Sequence, residues 1–229
     1  MGSASTAKIS LFPANRNSLG GASARRDADR AWIPKFGVTH TFIKDEGVFA
    51  EGDRSAFYHR VLRGVIRTSQ LLRDGRRQID AFHFAGDIFG VESGAEHRFS
   101  AEAVRDASVS SYPRRSFAGV APDDAAGLEV FASIRFSLER AQDHIVLLGC
   151  KSASEKIASF LLCLAKRHSV GDVIELPMSR MDIADHLGLT VETVSRCLTQ
   201  LERRSLIALS ICRHEVKLLD RDALGRLDS

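Results

Sequence analysis

The sequence predicts an α+β protein built in three consecutive parts: an antiparallel β domain, one long helix and a C-terminal winged helix-turn-helix. Three observations carry that expectation. Gly recurs beside charged or polar residues through residues 39–111, an apolar stripe at helical spacing follows Pro122, and Ala184, Gly188 and Val194 stand at the separations a helix-turn-helix requires. The 229 residues have room for two modest domains, and 44% hydrophobic against 27% charged residues is a globular composition.

Residues 1–35 come first. The stretch 1–26 holds four basic residues, Lys8, Arg16, Arg25 and Arg26, no acid, and no apolar run of the kind a secretory leader needs, so a flexible arm is expected. Residues 36–121 form the β domain. Glu46-Gly47, Glu51-Gly52-Asp53, Arg63-Gly64, Asp74-Gly75, Gly86-Asp87 and Ser93-Gly94 punctuate brief alternating stretches such as Gln78–Phe84, which predicts short, evenly spaced strands joined by turns.

Residues 122–149 form the long helix. Ile134, Leu138, Ala141, Ile145 and Leu148 recur at spacings of 4, 3, 4 and 3, the seam of a helix packed lengthwise on another. Asp123, Asp124 and Glu129 stand near its start, where the helix dipole favours acids. The stripe could cover the chain's own β domain, but its length and regularity suit a two-fold partner, and homodimerisation through these five residues is expected.

Residues 150–229 complete the chain. Ser152-Ala-Ser-Glu155 fits a capping box before the helical pattern Ile157, Phe160, Leu161, Leu164, and Val173–Leu176 reads as a strand. In the segment from Arg180 to Thr199, Ala184 is the small residue where two helices cross, Gly188 tolerates the turn, and Val194 locks the angle. Ser179 and Thr190 are suitable N-caps. Leu206–Leu209 and Val216–Leu219, separated by Arg213-His214-Glu215, form the wing.

Charge narrows the function less than placement does. The net charge is only +3, and residues 150–229 carry 12 basic against 11 acidic residues, so bulk charge nominates no nucleic-acid coat. The exposed positions of the second helix are more informative. Arg196 can pair bidentately with guanine, Glu192 can accept from a base amine, and Ser195 can reach a neighbouring base or phosphate; these three are the expected base readers of double-stranded DNA. Glu192 and Arg196 also fit a plain i, i+4 surface ion pair, which is compatible with that role. Ser179, Arg180, Thr190, Val191, Thr193, Thr199, Arg203 and Arg204 are backbone or secondary contact candidates, with Arg213 and Lys217 beside them.

Other classes find less support. No apolar run approaches the ~20 residues of a membrane span. Cys150, Cys163, Cys197 and Cys212 are widely spaced with no CxxC, which points to a reducing cytoplasm, with Cys197 on the core side of its helix. There is no nucleophile elbow, metal-ligand spacing or phosphate-cradling loop, so no catalytic residue, metal or cofactor is expected.

With these residues in place the chain resembles the CRP/FNR family of bacterial transcription regulators, most closely its FixK-type members. The resemblance runs from about Phe36 to Asp222 and rests on Glu51-Gly52-Asp53, Arg63–Arg67, Phe82–Gly90, the long helix, and above all Asp182–Arg196. It implies a β-roll of the cyclic-nucleotide-binding type, a dimerisation helix and a DNA-binding domain, acting as a homodimer on an inverted repeat. Members with the pattern at Glu192, Ser195 and Arg196 read TTGA-type half-sites and commonly activate microaerobic, respiratory or nitrogen-fixation genes, with RNA polymerase as partner. The loop Arg73-Asp74-Gly75-Arg76-Arg77 is by resemblance one candidate surface for the polymerase.

The departures concern the signal. Where cyclic-AMP-binding members have Gly-Glu-Leu and a later Arg-Ser, this chain has Gly90-Val91-Glu92 and Phe99-Ser100, with Arg98 one position off, which disfavours a bound cyclic nucleotide. The oxygen-sensing members carry an N-terminal cysteine cluster for an iron–sulfur centre, which needs four thiolates, and no Cys precedes Cys150. Haem through His40, His59 or His83 is an alternative, since a ligand-dependent sensor is the competing reading. FixK-type relatives often carry Cys where this chain has Ser179, and serine cannot follow thiolate oxidation chemistry.

Overall fold

The computed structural model describes residues 37–114, 125–210 and 214–228. The expected arm, the start of the expected long helix at 122–124, Cys212 and Arg213 lie outside the described residues. The described residues belong to one compact unit.

Strands β1 (Val38–Phe42), β2 (Gly47–Phe49), β3 (Phe57–Leu71), β4 (Arg77–Phe84), β5 (Ile88–Phe89) and β6 (Ser100–Pro113) form an antiparallel sheet in the order β1-β6-β3-β4, with β2 also on β6 and β5 also on β3. The expectation of uniformly brief strands needs correction, because β3 has 15 residues and β6 has 14, and the two pair along most of their length. Arg63-Gly64 is therefore no turn between strands. Gly64 takes φ +86° within β3, the register shifts on both sides of it, and an added Cβ would stand 2.5 Å from the Asp106 carbonyl oxygen. A glycine bulge bends a strand without ending it. Val61, Ile66, Phe89, Ala101, Ala103, Ala107 and Val109 pack together inside this domain.

Helix α1 (Ala125–Cys150) is 26 residues long, and its first turn holds no acid, so the expected dipole role of Asp123 and Asp124 falls outside the described residues. Its inward face mixes polar side chains with Val130, 4% exposed, and its outward face carries large apolar ones. Toward the protein, Arg140 donates to the Phe82 carbonyl, His144 stacks on His186 at 4.3 Å, and Leu147 packs on the core. Outward lie Phe131, Leu138 and Ile145, from 58% to 70% exposed, with Ala141 exposed as well, while Ile134, 41% exposed, also lines the cavity toward the β-roll. Leu148 differs from the rest of the expected seam: it is half-buried and faces the turn at Gly188.

The C-terminal part comprises α2 (Ala153–His168), β7 (Ser169–Val170), β8 (Val173–Glu175), α3 (Arg180–Leu187), α4 (Val191–Arg203), β9 (Ile207–Leu209), β10 (Glu215–Leu218) and α5 (Arg221–Leu227), with its four strands in the order β7-β8-β10-β9. The capping box of α2 forms as its sequence predicts, Ser152 accepting from the Glu155 amide while Glu155 accepts from the Ser152 amide. The core is continuous across the parts: Val65, Ile79, Phe82 and Phe84 of the β-roll share one cluster with Ile157, Leu161, Ile183, Leu187, Val194 and Leu201.

Candidate nucleic-acid interface

Helices α3 and α4 are placed by the residues that the spacing singled out. Ala184 and Val194 are both buried, at 1% and 0% exposure, where the helices cross. Gly188 takes φ +61°, and its amide and that of Leu189 both donate to the Ala184 carbonyl, closing the turn. Thr190 then caps α4 by accepting from the Thr193 amide at 3.2 Å. Val194, Cys197, Leu198 and Leu201 bury one face of α4, Cys197 with Sγ 4.0 Å from the Ser154 hydroxyl. That geometry turns Glu192 and Arg196 outward, both exposed, with Thr193, Ser195 and Thr199 half-buried at the flanks.

The exposed groups are held by local bonds. The Thr190 hydroxyl lies 3.1 Å from that of Thr193, which in turn accepts from Arg196 Nη2 at 3.3 Å, so a short polar chain runs from the helix cap to the guanidinium. Arg196 thus bonds Thr193 rather than closing the i, i+4 ion pair considered for it with Glu192. The Glu192 carboxyl is lowered from its ordinary pKa, first by its own backbone amide at the helix start, then by the Thr190 hydroxyl, with Arg196 adding to the effect. It is an anion at neutral pH, able only to accept. Thr199 donates to the Ser195 carbonyl at 2.9 Å and has its proton engaged within the helix.

Around this face Ser179 is exposed, Arg180 half-buried, and Arg203, Arg204 and Lys217 exposed. Val191 departs from its expected outward position, because it packs against the hydrophobic core with part of its surface. Arg77 departs likewise: its guanidinium is bonded to Asp182 and Asp185 of α3, so only Arg73, Asp74, Gly75 and Arg76 of its loop remain turned to solvent.

Sequence reasoning missed the polar joint that Arg77 enters. Asp182 uses Oδ2 to accept from the Ser179 amide and hydroxyl at 3.0 and 2.7 Å, completing a capping box on α3. Its other oxygen accepts from Arg67 Nη1 at 3.1 Å and Arg77 Nη2 at 2.6 Å. Capping and both arginines hold this buried carboxyl below its ordinary pKa despite the opposing effect of burial. The cap at Ser179 is legible in the sequence, but nothing there links Asp182 to residues more than a hundred positions earlier. Beside it, His186 places Nδ1 3.1 Å from the Ile79 carbonyl and packs among Phe82, His144 and Phe160; burial lowers its pKa to about 3, so the ring is neutral.

A helix-turn-helix with its wing, joined through a long helix to a β-roll, defines a modular transcription regulator. The comparisons agree. The Crp-like helix-turn-helix domain family matches residues 155–227 and the cyclic nucleotide-binding domain family matches residues 39–124. The nitrogen fixation regulation protein FixK of Azorhizobium caulinodans is 42% identical over 227 residues, covering 95% of this chain and 91% of that protein. FixK of Rhizobium meliloti is 40% identical over 187 residues, covering 82% and 85%. The solved structure of FixK2 from Bradyrhizobium japonicum superimposes with a TM-score of 0.79 at 42% identity, covering 85% of this chain and 98% of that one. The chain belongs to the CRP/FNR family of transcription regulators.

The β-roll match raises the question of a cyclic nucleotide. A cavity of about 300 Å³ lies between the β-roll and α1, lined by Thr68, Asp80, His83, Arg98 and Arg140 among others. Glu92, at its rim, accepts from the Arg98 amide at 2.6 Å and lies 3.1 Å from His97 Nδ1, so the carboxylate is committed to its own loop. Phe99 stands where the resemblance would require a phosphate-binding cation, and burial keeps the His83 ring neutral. Glu92 is thus not free to accept a ribose and Phe99 supplies no cation, while Arg98 and Arg140 bring guanidiniums to the same cavity. His83 lies 3.1 Å from the Thr68 hydroxyl and His59 lies 2.9 Å from that of Ser111, and no metal-holding group of three or more His, Cys, Asp or Glu occurs among the described residues. Among those residues no helix is long and apolar enough to cross a membrane.

Proposed function

We propose that this protein is a sequence-specific transcription activator, without enzymatic activity or cofactor, that binds double-stranded DNA as a homodimer and recruits RNA polymerase in the cytoplasm. Its site is an inverted repeat of TTGA-type half-sites, and its genes serve microaerobic, respiratory or nitrogen-fixation metabolism, in line with the relatives named as nitrogen fixation regulation proteins. The observation that carries the reading is the outward face of α4: Glu192 and Arg196 stand exposed near the helix N-terminus, the end that enters the major groove in this class. Glu192, Ser195 and Arg196 read bases, and Ser179, Arg180, Thr190, Thr193, Thr199, Arg203 and Arg204 serve the backbone or secondary contacts.

Homodimerisation is supported by the exposed apolar side chains of α1. A helix that turns Arg140 and His144 toward its own domain and Phe131, Leu138 and Ile145 toward solvent has its apolar face ready for a second copy. The two reading helices would then sit about 34 Å apart on one face of the duplex.

The test is fluorescence anisotropy of purified protein, nothing added, on a duplex carrying a TTGA inverted repeat and on a scrambled duplex. Preference for the repeat by about 10³-fold or more at physiological salt is expected. Equal binding to both, or binding only after a small molecule is supplied, would replace this reading with that of a ligand-dependent sensor.

A further inference from the structure

We infer that Arg67 and Arg77 of the β-roll are positioning residues for DNA recognition: by gripping Asp182 and Asp185 they hold the helix-turn-helix at one orientation relative to the dimerisation helix. The inference rests on the proposed function, and it assigns to the chain's own side chains the task of setting the distance between two reading helices.

The joint is built as a network. Arg67, whose side chain is 9% exposed, donates to Glu102 Oε2 through Nε and Nη2 at 3.0 and 2.7 Å, to Asp45 at 3.2 Å, and to Asp182. Arg77 donates to Asp185 Oδ2 at 2.9 Å as well as to Asp182. Two guanidiniums thus meet four carboxylates, two from the β-roll and two from α3. Breaking a buried pair leaves an uncompensated charge, so this joint resists opening. Asp182 also caps α3, so the element gripped is the first helix of the motif itself and not a peripheral loop.

Two further ion pairs flank the network, Arg105 with Glu175 and Arg167 with Asp87, and the Gln78 amide donates to the His186 carbonyl at 3.2 Å. Three of the 11 acids in residues 150–229, Glu175, Asp182 and Asp185, therefore face the β-roll and not DNA. Glu192 and Arg196 take no part in these bonds and stay exposed. The joint thus fixes the reading helix while leaving its surface clear. Bivalent binding gains most when the two modules match the span of their sites, so a fixed orientation makes affinity depend on half-site spacing.

The test uses full-length Arg77→Asp, Asp185→Arg and the double exchange Arg77→Asp/Asp185→Arg. Anisotropy is read on inverted repeats whose half-sites are moved apart or together by one base pair, and on a single half-site. Wild type should favour one spacing by about tenfold or more, a part of the 10²–10⁴ gain available to linked binding. Each single variant should lose most of that preference while holding half-site affinity within about twofold, and the double exchange, which re-forms the 77–185 pair but not the bond of residue 77 to Asp182, should recover part of it, which a merely destabilised protein would not do. An unchanged spacing profile in the single variants, failure of the double exchange to recover any of it, or equal loss on half-site and full site would overturn the inference. Failure of wild type to bind any TTGA repeat is a separate outcome, and it overturns the proposed function.

Discussion

Replacing Arg196 by alanine separates base reading from everything else that α4 does. The side chain is exposed and donates to the Thr193 hydroxyl at 3.3 Å, so folding stability should change by less than about 0.5 kcal/mol. On DNA, a bidentate arginine–guanine contact contributes about 1–3 kcal/mol of discrimination, and a symmetric dimer makes it twice. The loss on the intact repeat is then about 2–6 kcal/mol, or roughly 30-fold to 10⁴-fold in Kd. Competition anisotropy against repeats substituted symmetrically at each half-site position measures it. The variant should become indifferent to the base at one position and keep its discrimination at the others. Equal weakening on every sequence, the mark of a phosphate contact, would refute the assignment of Arg196 as a base reader.

Other expectations follow from the same structure. Arg203→Ala, at the exposed end of α4, should weaken all sequences alike and reduce the slope of log Kd against log salt by about two on the full repeat, about one for each protomer. Ile145→Glu, at a site 70% exposed in the single chain, should leave the fold intact but yield monomers in sedimentation, and binding to the full repeat should fall to half-site strength. Acid should destabilise the protein through half-buried imidazoles: His186 is lowered to about 3 and His168 to about 4, so the unfolded chain takes up protons first, from about 6.5 downward. Stability is thus fully present above pH 6.5 and falls as the pH drops toward 3, each ring contributing a slope of up to about 1.4 kcal/mol per pH unit. Melts of His186→Phe across that range should show a shallower loss, and an unchanged slope would remove His186 from the account.

The features legible in the sequence are those written in local spacing. The cap at Ser179, the left-handed Gly188, the cap at Thr190 and the burial of Val194 all follow from contacts within a few residues, and the structure has them. The β-roll was less legible. Gly64 resembles a turn glycine by its neighbours, and only the pairing of β3 with β6 shows that it bends a continuous strand. Least legible was the joint at Asp182. A carboxylate that caps its own helix looks complete from sequence, and the two arginines that share it arrive from β3 and β4 by tertiary packing. The polarity of α1 was half legible: spacing picked out the apolar stripe, whereas the inward role of Arg140 and His144 depends on what the β-roll places opposite them.

Selection from random duplex DNA by purified, untreated full-length protein tests the central claim most directly, because it reports site, spacing and ligand independence together. The account predicts enrichment of a TTGA-type inverted repeat with half-sites about one helical turn apart, ~10–10.5 base pairs centre to centre, with nothing added. Enrichment of an unrelated or unpaired motif, or none until a small molecule is supplied, would contradict it.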